Sequence, residues 1–256
     1  MPTVLCAECG KAAPCPDGHY AVVDIAGTQI DWIKKLPETS WIPALNLLNE
    51  LIGIEASYTN TNENDVQFGY RPYPLGTFGS LLMTARANVQ QGNWARPRFL
   101  EVGCGPGTKL VLANKVFGLE VSGFDVDAQY IKDAADLLVS QTLIDFQVRV
   151  DDAEDFDDYG LFDIVFLNRP LRDYDRQLQL EQHVMSRMGN GAVLILANSL
   201  THPPYWKCLQ QAVACSVYQK TCRCYEAESY LTFPGDQANL VSCKLCGRVL
   251  WATGPS

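Results

Sequence analysis

"FLEVGCGPGTKL", Phe99 to Leu110, packs three glycines into five residues, Gly103-Cys104-Gly105-Pro106-Gly107. An apolar run leads into the turn and a helix-like pattern leads out of it. Such a turn lets backbone approach a bound nucleotide closely. Alone, it is equally compatible with a tight strand–helix turn that holds no ligand. The dinucleotide spacing G-x-G-x-x-G fails here, because Thr108 stands where the third glycine belongs.

The chain beyond the turn alternates strand and helix patterns. Phe99–Val102 reads as a first strand and Thr108–Phe117 as a helix. "LEVSGFD" is a second strand. Ala128–Val139 is the clearest helix, with Ile131, Ala134, Ala135 and Leu138 at helical spacing. "LIDFQVRV" and "FDIVFLN" read as third and fourth strands, Asp175–Met188 as a helix, and "AVLILAN" as a fully buried fifth strand. This alternation predicts an α/β fold with a mostly parallel, doubly wound sheet. Cys208 and Cys215 are read as helix core.

The first 97 residues differ. "HYAVVDIAG" can form a strand, and Ser40–Ile54 predicts a capped helix with Leu45, Leu48 and Ile52 on one face. "YTNTNENDVQFGYRPYPLG" is polar and rich in Pro and Gly, so it reads as a loop. Gly79–Val89 predicts a helix entering the sheet.

Three carboxylates stand where ligands bind in open α/β sheets, at the C-terminal ends of parallel strands. Glu101 lies two residues before the first glycine and can fix turn amides or accept from an ammonium group. Asp125 ends the second strand and can accept both hydroxyls of a ribose. Asp152 follows the third strand and can accept from an adenine amine, with the Ala153 N–H beside it. These residues resemble class I S-adenosylmethionine-dependent methyltransferases, which are Rossmann-like. The resemblance runs from about Phe99 to Ser199 through "EVGCGPGT", "FDVD", "DDAEDF", "FDIVFLN" and "GNGAVLILAN". It implies that Glu101 and the turn residues Gly103, Cys104, Gly105 and Gly107 hold the methionine part of S-adenosylmethionine. It implies Asp125 and Val126 at the ribose, and Asp152 and Ala153 at the adenine. A sulfonium is already a strong methyl donor, so such an enzyme mainly orients donor and acceptor.

"NRPL", Asn168 to Leu171, follows the fourth strand, where the resemblance puts the transferable methyl. Asn168 is therefore the candidate catalytic and cofactor-contacting residue. Relatives that methylate planar amines often carry Asn-Pro-Pro-aromatic there. Arg169 and Leu171 depart from that pattern, so amine methylation does not carry over. The alternative is that Asn168 and Pro170 only turn the chain. "GYRPYPLGTFG", Gly69 to Gly79, precedes the first strand as a candidate lid. Its Tyr70, Tyr73 and Phe78 can line a substrate slot or belong to the core.

The net charge is −9, and six of the acids sit in "DDAEDFDD", Asp151 to Asp158. An overall basic surface is excluded, but a local basic patch is not. The acceptor therefore stays open between nucleic acid, protein and small molecule. No apolar run is long enough to span a membrane, and "MPTVLCAECGK" lacks the pattern of a signal peptide. A cytoplasmic location is expected, with the ten cysteines as thiols or metal ligands. "LCAECGK" holds Cys6 and Cys9, and "SCKLCGR" holds Cys243 and Cys246, each pair a Cys-x-x-Cys followed by Gly. Each has the form of a zinc knuckle, and two knuckles complete a four-thiolate structural site. The pairing resembles a zinc ribbon split between the chain ends. Alternatives are recruitment of Cys15 and His19 by the first pair, or unmetallated thiols. The expected organisation is a knuckle segment at 1–27, a helical and lid region at 28–97, the cofactor-binding domain at 98–235 and a second knuckle segment at 236–256. Two other functions compete: a non-catalytic binding protein on this fold, and an NAD(P)-dependent oxidoreductase.

Overall fold

The computed structural model describes residues 4–6, 22–24, 31–58, 70–89, 96–201, 206–212, 215–220, 230–233, 239–243 and 249–253. The chain first forms β1 (Val4–Cys6) and β2 (Val22–Asp24), an antiparallel pair. Helices α1 (Trp41–Glu55) and α2 (Leu75–Asn88) follow. Then come β3 (Arg98–Val102), α3 (Thr108–Phe117), β4 (Glu120–Asp125), α4 (Ala128–Ser140) and β5 (Phe146–Val150). After these come β6 (Ile164–Asn168), α5 (Tyr174–Arg187), β7 (Val193–Ala197), β8 (Lys207–Ala212) and β9 (Cys215–Gln219). The last strands are β10 (Tyr230–Phe233), β11 (Asn239–Cys243) and β12 (Val249–Thr253), which form their own antiparallel sheet.

The main sheet has seven strands in the order β5-β4-β3-β6-β7-β9-β8. The first five are parallel. Strand β9 runs antiparallel between β7 and β8, so the sheet is mixed. This corrects the helical reading of Cys208 and Cys215, which lie on β8 and β9. Every residue of β9 is buried, the polar Ser216 and Gln219 included, so neither an apolar run nor a period-two alternation marked it as a strand.

The order reverses at β3, whose C-terminal end is therefore the topological switch point. Strand β3 lies between β4 and β6, and its last four residues are buried. That explains its apolar Phe99, Leu100 and Val102, with the buried Glu101 as the one exception. Local chemistry sets the helix ends. Asp127 accepts from the Gln129 N–H at 2.8 Å to start α4, and Asp173 accepts from the Arg176 N–H at 2.8 Å to start α5. Lys220 is fully buried and donates to the Met185 and Met188 carbonyls, closing the end of α5.

Helices α1 and α2 share one core with α3 and the sheet. Leu48 and Leu51 of α1, and Phe78, Leu81 and Leu82 of α2, are completely buried with Phe99, Leu110 and Ile164. Phe78 packs on Phe99 and Phe166 with ring centroids 6.0 and 5.0 Å apart. Each such side chain contributes about 1.5–3 kcal/mol of burial. Helices α1 and α2 are thus built into the same body as the sheet. On the opposite face, α5 covers Leu100, Val165, Leu167 and Leu194. Among the described residues, no helix is long and apolar enough to cross a membrane.

Candidate active site

The C-terminal ends of β3, β4 and β6, with the start of the acidic loop after β5, open onto one cavity of about 920 Å³ counting its mouth. Glu101, Gly103, Asp125, Val126, Asp152, Ala153 and Asn168 all line it. Residues separated widely in sequence are thus brought together by strand register alone.

Glu101 forms the floor and is 2% exposed. Its Oε1 lies 3.7 Å from the Lys109 ammonium, while its Oε2 has no hydrogen-bond partner. Burial pushes this carboxyl up to about 8; Lys109 opposes the shift, and the Glu55 and Asp125 carboxylates add to it. At 3.7 Å, Lys109 offsets only part of the desolvation. A buried acceptor without a donor is costly, so this oxygen calls for a cationic or N–H group from a ligand.

Asp125 braces the glycine turn. Its Oδ2 accepts from the Gly105 N–H and its Oδ1 from the Asp127 N–H, both at 3.0 Å. Burial raises its carboxyl above the ordinary range, and those backbone donors pull it back. Val126 is 41% exposed beside it and presents apolar surface to the cavity. Asp152 caps the following turn by accepting from the Glu154 N–H at 3.0 Å. The Ala153 carbonyl accepts from the Tyr159 hydroxyl at 3.0 Å.

Three residues of the expected set stand behind the cavity wall rather than on it. The Cys104 side chain is buried beneath the turn, close to Gly123, and its N–H donates to the Phe124 carbonyl at 2.9 Å. Burial holds its thiol well above the usual range. Gly105, at φ +50°, lies under the Tyr70 ring, where a Cβ would fall 2.4 Å from the ring edge. Gly107 abuts Ala134 of α4, with only 3.0 Å for a Cβ. Their role is to shape the turn.

The Asn168 amide is engaged at both ends. Its Nδ2 donates to the Arg71 carbonyl at 3.0 Å, and its Oδ1 accepts from Asn198 Nδ2 at 2.9 Å. Arg169 and Asn198, at the tips of β6 and β7, both have positive φ, +26° and +52°. Strained backbone of this kind concentrates at functional sites. Within the candidate lid, Tyr70 lines the cavity whereas Tyr73 and Phe78 are core. Tyr58, Tyr70 and Tyr130 pack on one another with centroids 5.9–6.2 Å apart.

Sequence reasoning missed four buried polar residues. Glu55 and Lys109 pair at 3.1 Å beneath the glycine turn. Gln177 and Glu181 pair at 2.9 Å beneath the loops after β6 and β7. Gln177 accepts from the Leu171 N–H, and Glu181 from the N–H groups of Leu200 and Thr201. The available signal was a polar residue on an apolar helical stripe. Glu55 falls seven residues after Leu48, and Glu181 lies between Gln177, Leu180 and Val184. His183 is satisfied by the Phe156 carbonyl at 2.9 Å. His202, Cys222 and Cys224 lie outside the described residues.

The family model described as "Methyltransferase domain" matches residues 95–232, more than half of the chain. The chain belongs to the methyltransferase-domain family. Its fold is the Rossmann-like class I methyltransferase fold, as the resemblance over Phe99–Ser199 implies. The ribosomal protein L11 methyltransferase of Porphyromonas gingivalis is 30% identical over 106 residues, 41% of this chain. The match spans 35% of that protein. An RNA methyltransferase of Salinibacter ruber, solved with S-adenosyl-L-homocysteine, is 15% identical, with a TM-score of 0.46 over 65% of this chain and 98% of its own. The N-methyltransferase NodS of Bradyrhizobium japonicum is 13% identical, with a TM-score of 0.43 over 56% of this chain and 93% of its own.

The two knuckles fall largely outside the described residues. Cys9, Cys15, His19 and Cys246 are not among them, and Cys6 and Cys243 are described as backbone at the ends of β1 and β11. Among the described residues, no cluster of His, Cys, Asp or Glu is arranged to hold a metal ion.

Proposed function

We propose that this chain binds S-adenosylmethionine in the cavity at the switch point and transfers its methyl group to an acceptor held beside the tips of β6 and β7. The observation that carries the reading is the buried Glu101 Oε2, left without a partner on the floor of a cavity. The residues present fit the cofactor. Glu101 would receive its α-ammonium group, Asp125 its ribose hydroxyls and Asp152 with Ala153 its adenine. Val126 and Phe124 supply the apolar surface an adenine ring needs. When bound, the cofactor supplies a methyl on a sulfonium; the chain's own residues orient it and exclude water.

The acceptor is a nucleic acid, a protein or a small molecule. The ribosomal protein L11 methyltransferase relative makes a protein one candidate acceptor; Asn168 argues against a planar amine held by that side chain, because its amide is already committed to Arg71 and Asn198. Arg71 and Arg169 also line the cavity. Titration calorimetry tests the cofactor reading: micromolar binding of S-adenosylmethionine with none of NAD supports it, and folded protein that binds neither overturns it.

A structural zinc joining Cys6, Cys9, Cys243 and Cys246 is the second part of the reading, with the ends of the chain as one knuckle module and the protein in the cytoplasm. Its support is that β1 ends at Cys6 and β11 at Cys243, and each strand pairs antiparallel with the next one in the chain. The short connection from Cys243 to Val249 suits a knuckle turn. Metal analysis decides it: one zinc per chain, lost in both Cys6→Ser and Cys243→Ser, supports the split site, and zinc kept in Cys243→Ser assigns it to the N-terminal cysteines.

A further inference from the structure

Glu55 lies outside the segment shared with the family, at the last residue of α1. It is nonetheless only 6% exposed. Its Oε1 accepts from the Tyr70 hydroxyl at 3.0 Å, the Thr108 hydroxyl at 2.7 Å and the Lys109 ammonium at 3.1 Å. Thr108 and Lys109 open α3, directly after the glycine turn. An added helix thus places a carboxylate under the cofactor floor. Lys109 also reaches toward Glu101, and the three charged side chains are all nearly buried. Two carboxylates share one cation, and Glu101, whose Oε2 is left unpartnered, is the carboxylate of the pair that lines the cavity.

We propose that Glu55 is a positioning residue for the cofactor: by taking the charge of Lys109 it frees Glu101 to receive an α-ammonium group, which completes a buried set of two carboxylates and two cations. The proposal rests on the cofactor reading above. Charge balance explains why the second acid is needed. Were Glu55 neutral, Lys109 and Glu101 would already cancel, and an arriving ammonium would leave a net positive charge away from water. With Glu55 present, the bound set is neutral.

The empty site reaches neutrality by another route. Burial, with the nearby Glu55 and Asp125 carboxylates, holds the Glu101 carboxyl near 8, so it keeps its proton at neutral pH. Burial alone would lower the Lys109 ammonium, but Glu55, Tyr70 and Glu101 outweigh it and keep the group charged. The Cys104 thiol and the Tyr70 phenol also face Glu101, and burial pushes both upward, so they stay neutral. When an ammonium group arrives, the O–H bond of Glu101 breaks, the proton passes to solvent and the carboxylate takes its place in the set.

The experiment is calorimetry on the full chain with two probes, S-adenosylhomocysteine and 5′-methylthioadenosine, which lacks the amino-acid group. In the unaltered protein at neutral pH, S-adenosylhomocysteine should release close to one proton per site, read from the dependence of the observed heat on buffer ionisation. Methylthioadenosine should release none. Glu55→Gln keeps the shape and should lose roughly tenfold to hundredfold in affinity for S-adenosylhomocysteine, with its proton release, and keep its affinity for methylthioadenosine. Equal weakening toward both probes, or no weakening, overturns the proposal. Should Glu55→Gln fail to fold, the unaltered protein decides: absence of proton release with S-adenosylhomocysteine overturns it. An unaltered protein that binds neither probe overturns the cofactor reading itself, and this proposal with it.

Discussion

The strand tips of β3, β4 and β5 line the cavity, and the tip of β6, backed by the loop after β7, closes its other side; the two sides handle polar groups in opposite ways. On the first side, Glu101 keeps an unpartnered buried oxygen, and Asp125 and Asp152 line the cavity while their carboxylates brace its turns. On the second side, the polar side chains are consumed internally. Asn168 is tied to Arg71 and Asn198, and Glu181 to Gln177, Leu200 and Thr201. A surface with spare hydrogen-bonding capacity is prepared for a ligand's polar atoms. A surface that satisfies itself offers shape. The two halves should therefore answer differently to substitution: the first through ligand affinity, the second through stability.

The largest effect expected is on the self-satisfied side. Glu181 is fully buried and accepts from the Leu200 N–H, the Thr201 N–H and the Gln177 amide. Glu181→Leu would leave these donors without partners, each worth about 1–3 kcal/mol, so roughly 3 kcal/mol or more of stability should be lost. Urea unfolding measures this. Binding of S-adenosylhomocysteine to the folded protein should be nearly unaffected. Stability held with affinity lost would reverse the assignment of the two halves.

Next comes Asp125→Ala, which should weaken cofactor binding by about 1.5–3 kcal/mol, the scale of hydrogen bonds to a charged group. Part of that loss comes from releasing the Gly105 N–H, which Asp125 holds at 3.0 Å. Calorimetry on Asp125→Ala and Asp152→Ala would rank the two acids. An unchanged affinity in the Asp125 variant breaks the claim that this half is built for the ligand.

The cofactor half was legible in the sequence because its parts are local. A strand, a glycine turn and an acid at a strand tip each occupy a few consecutive residues, and strand register then assembles them. The family's spacing carried over to Glu101, Gly103, Asp125 and Asp152, which meet in one cavity. The other half was not legible because its contacts join distant segments. Asn168 meets Arg71 across 97 residues and Asn198 across 30; within the cofactor half, the long-range pair of Glu55 with Lys109, across 54 residues, was missed for the same reason. The antiparallel β8 and β9 were missed for a related reason: their directions follow from β9 pairing with β7 and β8 with β9, not from their own pattern.

The pH dependence of stability without ligand is a third, more moderate test. The folded carboxyl of Glu101 sits near 8, well above an ordinary glutamate. Across that interval the unfolded chain has lost a proton that the folded chain keeps. Stability should therefore fall as pH rises toward 8, by up to roughly 1.4 kcal/mol per pH unit for this one proton. Glu101→Gln should flatten that component, measured as the difference between the two proteins in urea unfolding at about pH 5.5 and about pH 8. Parallel profiles for the two proteins would mean that Glu101 is ionised in the folded state and that Lys109 alone compensates it.

The smallest effect separates strain from hydrogen bonding at the second half. Asn198 holds φ +52° and donates to Asn168 Oδ1. Asn tolerates the left-handed region better than most residues, and glycine tolerates it best. Asn198→Gly loses a hydrogen bond worth about 1 kcal/mol but relieves backbone strain of similar size, so its stability should lie within roughly 0.5 kcal/mol of the original. Asn198→Ala loses the same bond and adds strain, so it should fall by about 1–2 kcal/mol. Neither should alter binding of S-adenosylhomocysteine, because both act on the wall that satisfies itself. Equal stabilities for the glycine and alanine variants would show that φ at this tip relaxes freely. A loss of cofactor affinity in Asn198→Gly would mean that the Asn168 side chain, once released from Asn198, matters to the ligand, and the division between the two halves would have to move by one strand.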